Sequence, residues 1–489
     1  MSAWILMGID ETIDQAFAPI ARTFSDIIFF SVSVGGTDLQ LIVLWLVVGA
    51  AFFTFYLRFI NLRGFLHALR LVRGDYTHPN DPGEVSHFQA LATAISGTVG
   101  VGNIAHVAVA ISVGGPGAAF WMWVAGALGM ASKFAECTLG VKYRQQNQDG
   151  SVSGGPMFYM DKGLAERNWP RLGRTMAVYY AICIIIGTLG IGSMFQSNQA
   201  FVQFVNVTGG DESFFSTRGW LVGLVLATVV GVVILGGIRS IASIAAKIVP
   251  FMALLYISAG LYVIAANATE LPRAMSQIIT GAFTPQGATG GMLGVLILGF
   301  RRAAFSNEAG IGSSSIAHSA VRTSEPVTEG FVALLEPFID TIIVCSITAL
   351  VITLTVYDPE IPFEGIGGVE LTSTAFASAI PWFPIPLAVV VMLFAYSTMI
   401  AWSYYGLEGW IYLFGTARWV KFLYNAIFCI SVVIGCTTQL DGILDFSDAM
   451  IFAMALANML ALYMLAPVVR SELESYWARL ASGEIAPQK

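Results

Sequence analysis

Long apolar runs separated by short polar segments dominate this chain. A run of about 18 or more apolar residues is long enough to cross a hydrocarbon core as a helix. We therefore predict an all-α polytopic membrane protein with about eleven transmembrane helices: 39–60, 87–113, 116–140, 175–206, 219–237, 246–267, 288–316, 327–355, 383–413, 419–436 and 442–467. Amphipathic segments between these spans are predicted to be interfacial helices or gating loops: 153–166, 271–283 and 369–381.

The second and seventh runs are interrupted by glycine-rich stretches. The first stretch reads Ser96-Gly-Thr-Val-Gly-Val-Gly-Asn103, and the second reads Ser306-Asn-Glu-Ala-Gly-Ile-Gly-Ser313. Glycine in a helix costs about 1 kcal/mol relative to alanine, and an open turn in lipid leaves backbone N–H and C=O groups unpaired. Interrupted spans at matching places in two halves of a chain indicate a transporter binding site. We predict two discontinuous helices that meet at one site.

The positions of the basic residues predict the orientation of the chain. Arg58, Arg63, Arg70 and Arg73 follow the first span, whereas Arg22 alone precedes it. Because cytoplasmic loops are enriched in Lys and Arg, this pattern places the N-terminus outside and the C-terminus in the cytoplasm. Spans two to six and seven to eleven then have opposite orientations. That arrangement predicts a 5+5 inverted repeat with one extra N-terminal transmembrane helix.

The predicted organisation has four parts. Residues 1–86 hold an amphipathic segment, the first transmembrane helix and a cytoplasmic linker; 87–267 and 268–467 are the two repeats; 468–489 form a cytoplasmic tail. The opening segment lacks the apolar core of a signal peptide. Its candidate anchors at the membrane surface are Trp4, Ile5, Phe17 and Phe24.

Composition narrows the class of function. With 56% hydrophobic and 11% charged residues, the chain is too apolar for a soluble enzyme of 489 residues. The five cysteines lie in apolar runs without the spacing of a metal site. The sequence shows neither a basic stripe for nucleic acid nor a nucleophile–base pair. We predict a transporter surrounded by membrane lipid, with no enzymatic activity and no obligate protein partner.

The first break supplies the groups that a zwitterion and a cation need. Free N–H groups at the start of a half-helix attract a carboxylate, and free C=O groups at the end of one attract Na⁺. Gly100 and Gly102 leave room for a small ligand, because they carry no side chain. Asn103 offers either a carbonyl oxygen or an amide N–H. A helix kink made for packing is the other interpretation of a single break.

Span nine carries hydroxyl groups and an indole in its apolar run. Ser397 and Thr398 offer oxygen ligands that suit Na⁺, although such hydroxyls also bond to their own helix. Trp402 follows Thr398 by one helical turn and is predicted to wall a pocket, with anchoring at the lipid interface as the other interpretation. Span four contains three amide side chains that either line the pocket or join helices: Gln196, Asn198 and Gln199.

Charged residues inside membrane spans are energetically expensive and therefore point to function. Lys133 and Glu136, three positions apart, are expected to neutralise each other. A structural network holding the half-helices together is favoured over a proton relay for the remaining charges: Arg301, Arg302, Glu308, Glu336 and Asp340. His106 and His318 follow the two breaks and are expected to be hydrogen-bonded packing residues. Proton coupling through His106 is the alternative.

Five segments resemble the alanine/glycine:cation symporter family. They are Gly114-Gly-Pro-Gly-Ala-Ala-Phe-Trp-Met-Trp123, Ser153-Gly-Gly-Pro-Met-Phe-Tyr159, Phe305-Ser-Asn-Glu-Ala-Gly310, Leu335-Glu-Pro-Phe-Ile-Asp-Thr341 and Trp402-Ser-Tyr-Tyr-Gly406. The resemblance extends from about span one to span eleven. It implies a leucine-transporter-like fold of the amino acid–polyamine–cation superfamily. It also implies Na⁺-coupled uptake of alanine or glycine, with H⁺ as an option in some members.

The resemblance also implies a set of site residues. The substrate carboxylate is expected at the backbone N–H groups around Val101 and Gly102, beside Gly100. The rest of the substrate is expected to be enclosed by Gln196, Phe305, Ser306, Asn307 and Trp402. Na⁺ is expected among the carbonyl groups of Ser96 and Val99 and the hydroxyl groups of Ser397 and Thr398. A second ion site is expected near Asn103.

Three positions depart from the pattern of the family. Val101 stands where Thr or Ser is usual, which removes a hydroxyl but keeps the backbone N–H. His106 and Ala401 each stand where Gly is usual. The added groups affect which substrate fits, and they leave the class of transporter unchanged.

We therefore expect a secondary active transporter that moves a small neutral amino acid inward with Na⁺ and needs no cofactor. The expected mechanism is alternating access, in which spans two, three, seven and eight tilt against spans four, five, nine and ten. The expected location is the plasma membrane, of the bacterial inner-membrane type. The alternatives are an H⁺-coupled transporter of another small amino acid and a passive channel, which would need rings of like residues that we do not find.

Overall fold

A computed structural model describes residues 19, 22–34, 37–78, 81–147, 151–283, 291–358, 368–438 and 440–487. The described chain is almost entirely helical, and it also contains two short antiparallel hairpins. Their strands are β1 (Ser31–Val34), β2 (Thr37–Gln40), β3 (Gln145–Gln146) and β4 (Val152–Ser153).

The helices follow one another along the chain with short connections. The first half contains α1 (Leu41–Tyr56), α2 (Ile60–Arg63), α3 (Phe65–Val72), α4 (His87–Thr98), α5 (Gly102–Gly114), α6 (Gly117–Lys142), α7 (Pro156–Phe158), α8 (Leu164–Glu166), α9 (Pro170–Gly187), α10 (Phe195–Val207), α11 (Gly219–Ile234) and α12 (Gly237–Ala266). The second half contains α13 (Leu271–Gly281), α14 (Gly291–Asn307), α15 (Ser314–Ser319), α16 (Pro326–Ala333), α17 (Leu335–Pro337), α18 (Ser346–Thr355), α19 (Gly368–Ala379), α20 (Pro384–Phe414), α21 (Arg418–Gly435) and α22 (Leu440–Ser482).

Each predicted span coincides with a helix or with successive helices in one run. Seven helical runs in the described chain are long and apolar enough to cross a membrane, and α1 and α11 are shorter apolar helices. The protein is a multi-pass membrane protein. Eleven crossings and the inverted repeat stay predictions. The last helix continues to Ser482, well beyond the predicted end of span eleven.

The two predicted helix breaks are present. Residues 99–101 separate α4 from α5, and residues 308–313 separate α14 from α15. In the second break Glu308, Gly310 and Gly312 have φ values of 57°, 89° and 94°. Side chains other than glycine rarely adopt this left-handed region, so the two glycines are what allow the chain to turn here.

Two further interruptions of long helical runs are segments of π-helix, which the apolar pattern did not indicate; a third π-helical segment, Tyr159–Gly163, lies between the short helices α7 and α8. Thr188–Met194 connects α9 to α10, and Phe338–Cys345 connects α17 to α18. A π-helical turn inserts an extra residue into the helix and is frequent at functional sites. The first segment ends beside Gln196 and the second contains Asp340, and both of these side chains contact the first break region.

The molecule is apolar outside and polar between its helices. On α11 the exposed fractions of Val225 and Val232 are 64% and 70%, whereas Asn103, Gln199 and Glu336 are buried. This inversion is expected where lipid covers the outer surface. The candidate anchors Trp4, Ile5 and Phe17 lie outside the described residues. Phe24 is partly exposed, and its ring meets the edge of Phe446 on α22.

Candidate functional site

The first break and the end of α14 are joined through one carboxylate. Asn103 Nδ2 donates to Asp340 Oδ1 at 2.5 Å and to Ser306 Oγ at 3.1 Å. Ser306 Oγ in turn donates to Asp340 Oδ2 at 2.7 Å. These three side chains are fully or almost fully buried. The two interrupted helices therefore meet, as the sequence predicted.

The N–H groups of the first break have side-chain acceptors. Gly100 N–H donates to Asn103 Oδ1 at 3.0 Å, and Val101 N–H donates to Gln196 Oε1 at 3.3 Å. Side-chain amides thus occupy the positions at which a ligand carboxylate would accept. Gly102 faces the ring of Phe305, since a Cβ added to Gly102 would lie 3.6 Å from that ring.

The other two amides predicted in span four join helices. Asn198 Nδ2 donates to the carbonyl groups of Gly435 and Thr438, at 3.1 and 2.7 Å. Gln199 donates to Asn198 Oδ1 and accepts from Val369 N–H. Of the three amides, only Gln196 contacts the break among the described residues.

The candidate cation residues lie where the first break meets α20. Ser96 Oγ donates to the carbonyl of Ser397 at 2.6 Å, and Thr398 Oγ1 donates to the carbonyl of Ser96 at 2.9 Å. The Ser397 hydroxyl donates to its own helix, at the carbonyl of Phe394, 3.0 Å away. Val99 is buried at the end of α4, next to Gly100. Three of the four predicted cation residues are thus in direct contact.

Gly100 sits close against this group. A Cβ at Gly100 would lie 2.4 Å from Thr398 Oγ1 and 3.2 Å from Gln196 Oε1. No real Cβ makes a contact of 2.4 Å, so this position needs glycine for a close approach to α20.

Trp402 connects the two breaks. Its Nε1 donates to the carbonyl of Gly97 at 3.1 Å and to Glu308 Oε1 at 3.2 Å. The side chain is fully buried, so the interpretation of Trp402 as an anchor at the lipid interface is wrong. The second oxygen of Glu308 accepts a hydrogen bond from Ser313, which holds the turn of the second break closed.

An aromatic and charged cover lies over one side of the breaks. The Phe305 and His106 rings stack with their centroids 3.6 Å apart. Arg302 Nη1 lies 3.3 Å from His106 Nδ1 and 3.1 Å from Asp448 Oδ2. Arg301 also pairs with Asp448, at 2.7 Å. Asp448 was not among the predicted site residues, although an acidic residue inside the last apolar span was a signal for it.

A second charged group lies on the other side of the breaks, where the predicted pairing of Lys133 with Glu136 is wrong. Lys133 does not pair with Glu136; its ammonium lies 3.1 Å from Glu336 Oε2, on α17. Glu136 instead accepts from Asn458 Nδ2 at 2.9 Å, and the same amide donates to the carbonyl of Gly310. The three-residue spacing did not predict the partner, because α17, which packs against α6, brings the Glu336 carboxylate closer to Lys133.

The network extends from Lys133 through two histidines. His318 Nε2 lies 2.6 Å from Glu336 Oε1, and its Nδ1 bonds to Glu329, which also bonds to His87. Lys133 additionally donates to Ser314. These buried contacts tie α15, the short half-helix after the second break, to α6 and α16. They fit the predicted structural network.

The described residues include one arrangement of possible metal ligands, at Cys137, His318 and Glu336, whose donor atoms lie within 4.8 Å of one another. Both ring nitrogens of His318 already bond to glutamates, and the Lys133 ammonium adjoins Glu336. A positive charge at this position disfavours a metal ion. We assign the cluster to the ion-pair network.

Known proteins resemble this chain over nearly its whole length. Residues 27–489 match the profile of the Sodium:alanine symporter family. The chain is 38% identical over 426 residues to the sodium/alanine symporter AgcS of Methanococcus maripaludis, which covers 87% of this chain and 91% of that protein. It is 34% identical over 447 residues to the probable sodium/glutamine symporter GlnT of Bacillus subtilis, with coverage of 91% and 89%.

A solved structure with the same fold is that of MhsT in complex with L-phenylalanine. It superimposes with a TM-score of 0.56 at 15% sequence identity, covering 79% of this chain and 98% of that one. This similarity identifies the leucine-transporter-like fold that the sequence predicted.

Proposed function

Since this chain belongs to the sodium:alanine symporter family and is a Na⁺-coupled amino-acid symporter, we propose that it carries a small neutral amino acid, alanine or glycine. The observation that carries the proposal is the contact of both helix breaks with α20, made through the Trp402 indole at 3.1 and 3.2 Å. A site formed where two breaks meet a third helix presents backbone charge to both ends of a zwitterion.

The substrate carboxylate binds at the N–H groups of Val101 and Gly102. Gln196 Oε1 accepts from Val101 at 3.3 Å, so the carboxylate displaces a weak, long hydrogen bond. The ammonium group lies toward the C-terminal end of α14, where helix carbonyl groups attract positive charge. Phe305, Ser306, Asn307 and Trp402 enclose the side chain. The close approach of Gly100 to Thr398 leaves little free space beside the first break, which favours a substrate with a small side chain.

Na⁺ binds among the carbonyl oxygens of Ser96 and Val99 and the hydroxyls of Ser397 and Thr398. Thr398 Oγ1 and the Ser96 carbonyl oxygen are 2.9 Å apart. The hydroxyl group donates its hydrogen to that carbonyl, and rotation of this hydrogen away from the carbonyl makes lone pairs of both oxygens available to an ion. The ion then takes over the contact that holds α4 against α20. Asn103 remains the candidate for a second ion site.

The ion and the substrate bind at adjacent parts of the first interrupted helix, which couples their binding. Na⁺ fixes the end of α4, and the substrate carboxylate binds the start of α5, immediately after it in the chain. Each ligand therefore raises the affinity for the other by the same factor. Transport follows from alternating access, with spans two, three, seven and eight moving against spans four, five, nine and ten. The buried site residues correspond to an occluded arrangement.

The basic residues support an orientation with the N-terminus outside and the C-terminus in the cytoplasm, in a membrane of the bacterial inner-membrane type. In this orientation α14 enters from outside, and the Arg302–Asp448 pair closes the outer entrance. The residues 87–267 and 268–467 then form the two inverted units.

Uptake of radiolabelled alanine into proteoliposomes tests the proposal, with an inward Na⁺ gradient, an inward proton gradient, or neither. We expect saturable uptake with the Na⁺ gradient alone, competed by glycine. Uptake driven only by the proton gradient would refute Na⁺ coupling at this site. Uptake of glutamine in preference to alanine would refute the assignment of a small substrate.

Two variants distinguish the proposed Na⁺ site from the proposed substrate site. Ser397→Ala combined with Thr398→Ala should raise the Na⁺ concentration for half-maximal uptake and leave the order of competing amino acids unchanged. Trp402→Ala should change that order with a smaller effect on Na⁺. The reverse pattern would contradict the placement of the two ligands.

A further inference from the structure

A cavity lies away from the helix breaks. It has a volume of about 820 Å³ and is lined by strands β3 and β4, the beginning of α12 and the last three turns of α20. Pockets that hold small molecules typically measure about 300–1,000 Å³. The cavity is on the side of the molecule that carries the basic 141–174 segment, which the proposed orientation assigns to the cytoplasm.

Four charged side chains line this cavity, and two of them are already paired. Arg239 Nε lies 3.3 Å from Glu84 Oε2, and Glu84 Oε1 accepts from Val152 N–H at 3.0 Å. The other two are Glu408 and Lys421. Lys421 forms no ion pair within the described part of the chain, although it acts electrostatically on Glu408. The cavity thus presents one negative and one positive group that are not bound to each other.

Glu408 is the more unusual of the two. Its exposed fraction is 6%, and its Oε2 has no hydrogen-bond partner among the described residues. Ser153, which also lines the cavity, hydrogen-bonds to the same carboxyl group. Leaving a buried carboxylate oxygen unsatisfied is costly, and more so than for a neutral group. A cationic ligand group entering the cavity would satisfy it.

The cavity and the central site share one helix. Thr398 and Glu408 both lie on α20, and ten residues of helix rise about 15 Å. Trp402 and Tyr404 occupy the turns between them, with Trp402 at the breaks and Tyr404 in the wall of the cavity. A substrate that leaves the breaks along α20 on this side arrives beside Glu408.

We propose that this cavity is a second binding site for a zwitterionic amino acid, with the ammonium group at Glu408 and the carboxylate at Lys421. The inference rests on the proposed function for the identity of the amino acid. A Na⁺ ion alone fits less well, because the cavity is much larger than an ion and includes Lys421. The site holds the substrate on the release side, so a high internal concentration occupies it and slows further transport.

Binding of radiolabelled alanine to the purified full chain at saturating Na⁺ tests this proposal. We expect about two alanines per wild-type protein and about one in Glu408→Gln or Lys421→Gln, with the affinity of the remaining site within about twofold of wild type. Thr416→Val, on the exposed rim of the same cavity, is the matched control and should keep both sites. Trp402→Ala should weaken alanine binding at the central site and leave the affinity of the second site unchanged.

A transport measurement gives an independent readout. Alanine preloaded inside proteoliposomes should inhibit influx in the wild type and in Thr416→Val, and inhibit it several-fold less in Glu408→Gln. Two sites retained in Glu408→Gln, or a change confined to Na⁺ dependence, would overturn the proposal. One site in the wild type together with Na⁺-driven uptake would also overturn it. Absence of any Na⁺-driven amino-acid uptake would instead refute the proposed function.

Discussion

Replacing Gly100 with alanine tests the contact on which ion binding depends. The added Cβ would lie 2.4 Å from Thr398 Oγ1, which is too close for any ordinary contact. Either the first break or α20 must shift, and overpacking of this kind typically costs about 1–3 kcal/mol. If this cost destabilises the Na⁺-bound arrangement relative to the ion-free one, the Na⁺ affinity should fall by about 5- to 150-fold, since each 1.4 kcal/mol is a factor of ten.

The assay is stabilisation of the purified protein by Na⁺, followed as the unfolding temperature across a Na⁺ titration. Gly102→Ala is the matched control in the same break, because its Cβ meets only the Phe305 ring at 3.6 Å. Its Na⁺ affinity should stay within about twofold of wild type. Adding Thr398→Ala to Gly100→Ala should restore stability without restoring Na⁺ binding. Wild-type Na⁺ affinity in Gly100→Ala would refute the reasoning.

Three further predictions concern charged groups. Lys133→Met should destabilise the protein by about 3–5 kcal/mol, because it removes the cation beside the buried Glu336 Oε2 and leaves that carboxylate with His318 as its remaining ion-pair partner among the described residues; adding Glu336→Gln should recover part of the loss in thermal unfolding. Asp448→Asn removes the carboxylate that pairs with Arg301 and Arg302, and it should weaken closure over Phe305. A cysteine introduced at position 305 should then react faster with a membrane-impermeant thiol reagent, whereas unchanged labelling would exclude a role of Asp448 in closure. Burial lowers the pKa of His67, in the linker after α1, to about 4. Since an unfolded histidine takes up a proton below about pH 6.5 and the folded one does not, the free energy of unfolding should decrease as the pH falls from 6.5 to 4. His67→Gln should remove that pH dependence.

Glycine made the breaks predictable from sequence, because glycine alone tolerates φ near +90° at Gly310 and Gly312. The π-helical segments were harder to predict: Thr188–Met194 contains Gly190 and Gly192, and Phe338–Cys345 follows Pro337 directly, but these residues do not distinguish a π-helical turn from an ordinary helix. The Lys133 partner was unpredictable for a related reason. Spacing along one helix indicates which side chains share a face, and it carries no information about which helix packs against that face.

The positions of the buried charges are compatible with the proposed alternating access. A buried network joins α4, α6, α15, α16 and α17 through Lys133, Glu336, His318, Glu329 and His87, so in the proposed alternating access these elements would move as one body. The contacts from the first break to α10 and α20 are hydrogen bonds to backbone groups. Each contributes only about 0.5–1.5 kcal/mol net, so one ion and one zwitterion can replace them. The proposed coupling therefore relies on neutral contacts between the first break and its neighbours, whereas the second break reaches α20 through an acidic residue, Glu308, whose Oε1 lies 3.2 Å from Trp402 Nε1.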